Sequence, residues 1–68
     1  MKLSARNQLK GTIKSVTKGQ TTAHVEIDVG GAVVTASITN EAVDALGLKP
    51  GQAAFAVIKA SDVMIGIE

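Results

Sequence analysis

Thr21-Thr22-Ala23-His24-Val25-Glu26-Ile27-Asp28-Val29-Gly30-Gly31-Ala32-Val33-Val34-Thr35-Ala36-Ser37-Ile38-Thr39 is the stretch that decides the fold. Thr21, Ala23, Val25, Ile27 and Val29 alternate with Thr22, His24, Glu26 and Asp28, the period of two expected of a strand with one buried face. Gly30-Gly31 supplies the positive backbone angles of a tight hairpin. On the return strand Val34, Ala36 and Ile38 point inward, while Thr35, Ser37 and Thr39 point out.

Upstream, Lys2, Arg6, Lys10, Lys14 and Lys18 recur at every fourth position, and no acid precedes Glu26. A helix would stack these like charges at i and i+4, which is unfavourable. A strand places the even positions on one face, where the lysines are solvated, and Leu9, Gly11 and Ile13 on the other. Val16 breaks that parity, so a bulge or bend is expected near Ser15. Lys18-Gly19-Gln20 reads as the turn into the hairpin.

Downstream, Thr39 or Asn40 caps a helix over Glu41 to Leu46, with Val43 and Leu46 on one face and Gly47 as the left-handed stop. Lys49-Pro50-Gly51 is a turn. Strands then follow at Ala53 to Ile58 and, after Ser61-Asp62, at Val63 to Ile67. Ala53, Phe55 and Val57 alternate with Ala54, Ala56 and Ile58, all apolar, so both faces require burial and the second is expected to meet another chain. Phe55 is expected in the core. Three strands, a short helix and two strands predict a mostly β fold, a five-stranded barrel of the oligonucleotide/oligosaccharide-binding (OB) type with its helix between strands 3 and 4. An SH3-like barrel is the nearest alternative.

Composition narrows the function. The chain has 68 residues, 46% of them hydrophobic, with one aromatic, no cysteine and a net charge of +1. We expect a single domain over residues 1–68, too small for a large core and stabilised by oligomerisation. A disulfide framework and a thiolate metal site are excluded. His24, the one histidine, has no second ligand beside it. Ser61, His24 and Asp62 follow no hydrolase pattern, so no catalysis is expected. Gly30-Gly31 lacks the lysine and helix of a phosphate loop. Binding of single-stranded nucleic acid requires aromatic platforms beside basic groups, and only Phe55 is available. No apolar run approaches the roughly 18 residues of a membrane span, and no hydrophobic signal region follows Met1-Lys2-Leu3-Ser4, so a cytoplasmic location is expected.

Two segments are not explained by packing: Ser4-Ala5-Arg6-Asn7-Gln8 and Lys59-Ala60-Ser61-Asp62. Each offers hydroxyls, backbone amides behind short side chains and one long cation. That set suits a small oxyanion, which has acceptors only and is held by N–H and O–H donors. A cation and one unit of anion charge ~4 Å apart attract by roughly 4 kcal/mol at intermediate dielectric, before desolvation. A frayed entry and a polar turn would account for the same residues.

At these residues the sequence resembles the molbindins, the small molybdate- and tungstate-binding (Mop) proteins. Ser4-Ala5-Arg6-Asn7-Gln8-Leu9-Lys10-Gly11 is similar to their opening motif, and Ile58-Lys59-Ala60-Ser61-Asp62-Val63-Met64 to their closing one. Ile38-Thr39 and Leu46-Gly47-Leu48-Lys49-Pro50-Gly51 also follow the family pattern, so the similarity covers essentially the whole chain. Related modules end molybdate-responsive regulators and transporter ATPases; at one module, this chain is more similar to the free-standing kind. The resemblance implies an OB-type barrel in a homohexamer, a trimer of dimers, that binds molybdate or tungstate at subunit interfaces for storage and homeostasis. By resemblance, Ser4, Ala5, Arg6 and Asn7 come from one chain and Thr39, Lys59, Ala60 and Ser61 from its neighbour. Arg6 and Lys59 bring charge, Ser4, Thr39 and Ser61 hydroxyls, and the alanines close approach of backbone amides. A family serine often follows Thr39 by three positions, where this chain has Ala42. A second site near the threefold axis falls at Lys18, Gly19 and Gln20, which equally read as an ordinary turn. A nucleic-acid-binding barrel and a ligand-free oligomerisation module are the competing functions.

Overall fold

The computed structural model describes residues 1–68. Strands β1 (Asn7–Lys18), β2 (Thr22–Asp28) and β3 (Val33–Thr39) lead into helix α1 (Asn40–Leu46), strand β4 (Ala53–Ile58) and a 3₁₀ turn at Ala60–Asp62. The four strands form one antiparallel sheet in the order β3-β2-β1-β4.

β1 is shared between two partners. Its residues Asn7 to Thr12 pair with β4, and Thr12 to Lys18 pair with β2. Between them Ile13 faces Ile27 while Ser15 faces Glu26, so Lys14 is an extra residue. This is the bulge anticipated from Val16: one additional residue lets Ile13 and Val16 turn to the same face and bends the strand. Gly11 lies just ahead of the bend, where a Cβ would stand 2.3 Å from the Asp28 carbonyl oxygen and 2.9 Å from Ile27 Cγ2. No larger residue fits without moving the end of β2.

The β2–β3 hairpin turns through Gly30 and Gly31 at φ 88° and 89°, and the Val29 N–H donates to the Ala32 carbonyl over 2.9 Å. Thr39, not Asn40, caps α1: its hydroxyl accepts the Ala42 N–H at 3.0 Å, and Gly47 at φ 62° ends the helix. Burial concentrates in Ile13, Ala23, Val25, Ile27, Val43 and Ala56, with Val16, Val29, Val34, Ala36, Ile38, Leu48 and Ala54 packed around them. Val43 alone anchors α1; Leu46, expected beside it, is 65% exposed. A seven-residue helix brings one position fully inward, and the chain leaves at Gly47 before Leu46 is covered.

Two expectations require correction. The sheet has four strands, not five: backbone hydrogen bonds join Val63 only to Ala60, and none joins Met64 to Glu68 to any strand. A strand exists only through its neighbours, and within one chain this segment has none. Its apolar side chains Met64, Ile65 and Ile67 are 91%, 88% and 94% exposed. Nor is Phe55 in the core. Leu9 pairs with Ala56 and Lys10 with Phe55, so Ala54, Ala56 and Ile58 take the inner face while Phe55 shares the outer one with lysine, 47% exposed. The sheet curls into a half-barrel around an apolar trough of about 820 Å³, lined by Val34, Ala36, Ile38, Leu48, Ala54 and Ile58 among others. The outer edges of β3 and β4 are unpaired. No helix is long and apolar enough to cross a membrane.

Candidate oxyanion site

The two polar segments meet. Asn7 opens β1, Ile58 closes β4, and the two are register partners, so Ser4–Arg6 and Lys59–Ser61 leave from the same rung. The half-buried Asn7 side chain fastens that rung, its Nδ2 donating to the Ile58 carbonyl at 3.2 Å. Arg6 and Lys59 are exposed and neither is paired with a carboxylate, the chain's one ion pair being Lys18 with Asp44. Asp62, the acid nearest in sequence, leaves this end of the sheet with a cationic balance from Arg6 and Lys59.

Donors and acceptors are unequally used here. The Ile58 carbonyl accepts from Asn7, and the Ala5 carbonyl from Gln8 Nε2 at 3.3 Å. The Lys59 and Ala60 carbonyls accept the N–H groups of Asp62 (2.9 Å) and Val63 (3.3 Å). By contrast, the N–H groups of Ser4, Ala5, Arg6, Lys59, Ala60 and Ser61 donate to no backbone carbonyl, and the Ser4 and Ser61 hydroxyls have no side-chain partner. Four acceptors are satisfied internally, while six N–H groups, two hydroxyls and two exposed cations are left without such partners, beside the Ser4, Arg6 and Ser61 carbonyls, which accept no hydrogen bond either. Donors and cations in that excess suit an anion with acceptors only.

Thr39 is not brought to this cluster. It pairs with Thr22 at the other end of the sheet, next to the rung formed by Lys18 and Ala23. Lys18 stands eleven residues from Asn7 along β1, roughly 30 Å or more of strand at ~3.3 Å per residue. Because the Thr39 hydroxyl accepts from Ala42 N, its own proton is left to donate. The turn Lys18-Gly19-Gln20 lies at this second end and is mostly committed to structure. Lys18 Nζ is 2.5 Å from Asp44 Oδ1, the Gly19 N–H donates to the Thr22 carbonyl at 2.7 Å, and the Gly19 carbonyl accepts from Asn40 Nδ2 at 3.0 Å. Asn40 Oδ1 is buried there without a partner. His24 lies exposed on the outer face between Thr17 and Ser37, and no three His, Cys, Asp or Glu side chains converge as a metal site.

The resemblance offers Asn7 as a ligand and not Gln8; in the structure both side-chain amides donate to main-chain carbonyls, Asn7 to Ile58 just ahead of the second segment and Gln8 to Ala5 within the first. The signal that finds them is the register: only pairing Asn7 with Ile58 shows that the amide reaches across rather than outward.

A family model described as the TOBE domain matches residues 3–65. A probable molybdenum-pterin-binding protein of Haemophilus influenzae is 48% identical over 69 residues, covering 100% of both chains. Among solved structures, MopII from Clostridium pasteurianum superposes with a TM-score of 0.90 at 43% identity, over 97% of this chain and 100% of that one. The cytoplasmic molybdate-binding protein ModG, in a form with molybdate bound, superposes with a TM-score of 0.93 at 48% identity. That alignment covers 100% of this chain and 49% of ModG.

Proposed function

The chain belongs to the TOBE-domain family, with the molybdenum-binding Mop proteins, the molbindins, and from that premise we propose that it binds molybdate or tungstate in the cytoplasm, for storage and homeostasis of the ion. The names of its relatives describe binding rather than catalysis, and no covalent step is involved. In this reading residues 1–68 act as one module in a homohexamer, with the ion held between subunits.

The observation that supports the reading is the donor surface where β1 begins and β4 ends: two cations without carboxylate partners and six backbone N–H groups with no backbone acceptor. Arg6 and Lys59 supply charge, Ser4 and Ser61 hydroxyls, and Ala5 and Ala60 unobstructed N–H groups. The resemblance implies that Lys59, Ala60 and Ser61 come with Thr39 from the neighbour; because Asn7 pairs with Ile58 while Thr39 lies at the far end of the same chain, we instead take Ser4 to Asn7 and Lys59 to Ser61 from one subunit and Thr39 from its neighbour. Lys18, Gly19 and Gln20 remain a second, weaker site, in which Lys18 must be shared with Asp44. Exposed Phe55, Val57, Val63, Met64, Ile65 and Ile67 favour assembly, because apolar surface on this scale is covered in a stable protein.

Molybdate carries two charges at neutral pH and no proton, so a donor-rich site suits it. Monohydrogen phosphate must turn one hydroxyl of the site from donor to acceptor; sulfate, chemically alike, is distinguished by size. A pterin is a poorer fit. Its flat ring calls for an aromatic wall, and Phe55 is three rungs from the Asn7–Ile58 pair, on the outer face. Native mass spectrometry before and after dialysis against molybdate, with sulfate as control, tests the proposal. A six-chain mass that gains molybdate and not sulfate is the expected result. A hexamer that takes up neither ion overturns the function, and a monomer overturns the interface sites.

A further inference from the structure

The two ends of β1 differ most in their carboxylates. Where the strand begins, Arg6 and Lys59 form no ion pair; where it ends, Lys18 Nζ lies 2.5 Å from Asp44 Oδ1, the chain's one salt bridge. The turn that follows has little else with which to hold an anion. Its Gly19 N–H donates to the Thr22 carbonyl and its Gly19 carbonyl accepts from Asn40 Nδ2. What remains is the Lys18 cation, the Gln20 N–H and the exposed Gln20 side chain. The fold itself brings the carboxylate here. Asn40 ties the start of α1 to the turn, its N–H donating to the Thr21 carbonyl at 2.9 Å, and with Val43 anchored in the core the next residue reaches the end of β1. Glu41, three residues before Asp44 and so its neighbour on the helix surface, adds a second negative charge.

We propose that Asp44 sets the affinity of the Lys18-Gly19-Gln20 site: its carboxylate occupies the Lys18 ammonium as a built-in anion, an oxyanion enters by taking the lysine from it, and this end of the chain fills after the Arg6 and Lys59 end. The inference rests on the oxyanion reading above and gives its second site a regulator. The side chains of Lys18 and Asp44 are 45% and 67% exposed, so the pair opens readily. An exposed pair lowers the apparent affinity of a competitor for its lysine by up to about fivefold. The carboxylate also repels a doubly charged ion directly, by a comparable factor at low salt and less as salt screens it. Arg6 and Lys59, without a paired carboxylate, meet neither effect.

The test titrates the full-length protein and its variants with molybdate by calorimetry, at low and at physiological salt, while native mass spectrometry counts the ions bound per assembly. The parent is expected to bind ions in two classes, and Asp44→Asn to narrow the ratio of weak to tight dissociation constants about tenfold at low salt and less in physiological salt. Asp44→Ala, which leaves Lys18 no side-chain oxygen to donate to at that position, narrows it at least as far. On a Lys18→Gln background the same Asp44 substitutions gain less, because the two residues are coupled. An unchanged ratio in both Asp44 variants overturns the proposal, as does an equal narrowing with and without Lys18, or one indifferent to salt. If the parent binds a single class, a second class appearing in Asp44→Asn meets the expectation and its absence overturns it. Uptake of no ion by the parent or any variant defeats the oxyanion function itself, and this inference with it.

Discussion

Replacing Gly11 with alanine should destabilise the protein by about 2 kcal/mol, although alanine is ordinarily the better residue in a strand. The new Cβ would lie 2.3 Å from the Asp28 carbonyl oxygen, and real Cβ contacts essentially never fall below 3.0 Å. The obstacle is main chain, at the point where β2 ends and β1 passes from one partner to the other, so it cannot rotate aside as a side chain would. Overpacking of this kind costs typically 1–3 kcal/mol. Against it stands the ~0.4–1 kcal/mol that alanine contributes by restricting the unfolded chain. With rigid main chain at 2.3 Å the upper end of that cost applies, and the net loss of about 2 kcal/mol corresponds to a melting temperature lower by roughly 8–16 °C for a domain of this size. Calorimetry or circular dichroism at one fixed protein concentration measures it, since association makes melting concentration-dependent. Gly66→Ala is the control, because nothing lies within 4 Å of its Cβ position. If Gly11→Ala melts within about 2 °C of the parent, β1 does not approach Asp28 as described, and the shared-strand geometry is refuted.

Further expectations concern the site and the surface. Arg6→Ala should weaken molybdate binding by tenfold or more while leaving the fold unchanged, since its side chain is exposed and makes no hydrogen bond; unchanged affinity by titration calorimetry removes Arg6 from the site. Thr39→Val should cost about 1 kcal/mol in urea unfolding through loss of the α1 cap, and Thr39→Ser should restore it; equal stability of the valine and serine variants would show that the cap contributes nothing. Ala42→Ser should tighten molybdate binding severalfold by adding a hydroxyl one turn from Thr39, as read by the same calorimetry. Ile65→Asp should lower the oligomeric state on analytical ultracentrifugation, because a side chain 88% exposed in the lone chain must be covered in the assembly for a charge there to matter; an unaltered sedimentation profile places the interface elsewhere.

Where a structural feature depends on residues near it in the chain, it was legible beforehand. Alternation from Ala23 to Val29 and the two glycines after it define the hairpin, and the misplaced Val16 reveals the bulge at Lys14 one residue from its anticipated place. The helix starts and stops where its caps indicated, ending at Gly47, but it buries only Val43, since the chain turns away at Gly47 before Leu46 can be covered. Features that depend on distant partners were not legible. In β4 an apolar residue stands at every position, so alternation cannot say which face is inward; pairing Lys10 with Phe55 decides it. Val63 to Ile67 has the composition of a strand, but pairing is a property of two segments, and one chain offers this segment no partner. The candidate site divides the same way. Arg6, Lys59 and the serines stand out by type, whereas the meeting of their two segments, and the separation of Thr39 from both, follow only from register.

The surplus of main-chain donors around Ala5 and Ala60 also determines which genetic experiment is informative. An alanine scan is blind at these two positions, which are already alanine, and a lost contact with a backbone N–H leaves no trace in any side-chain series. Proline is the discriminating replacement, since it alone deletes the N–H. Positions that tolerate serine and glycine but not proline would mark the part of the site written in the main chain, where the identity of the side chain matters less than its being small.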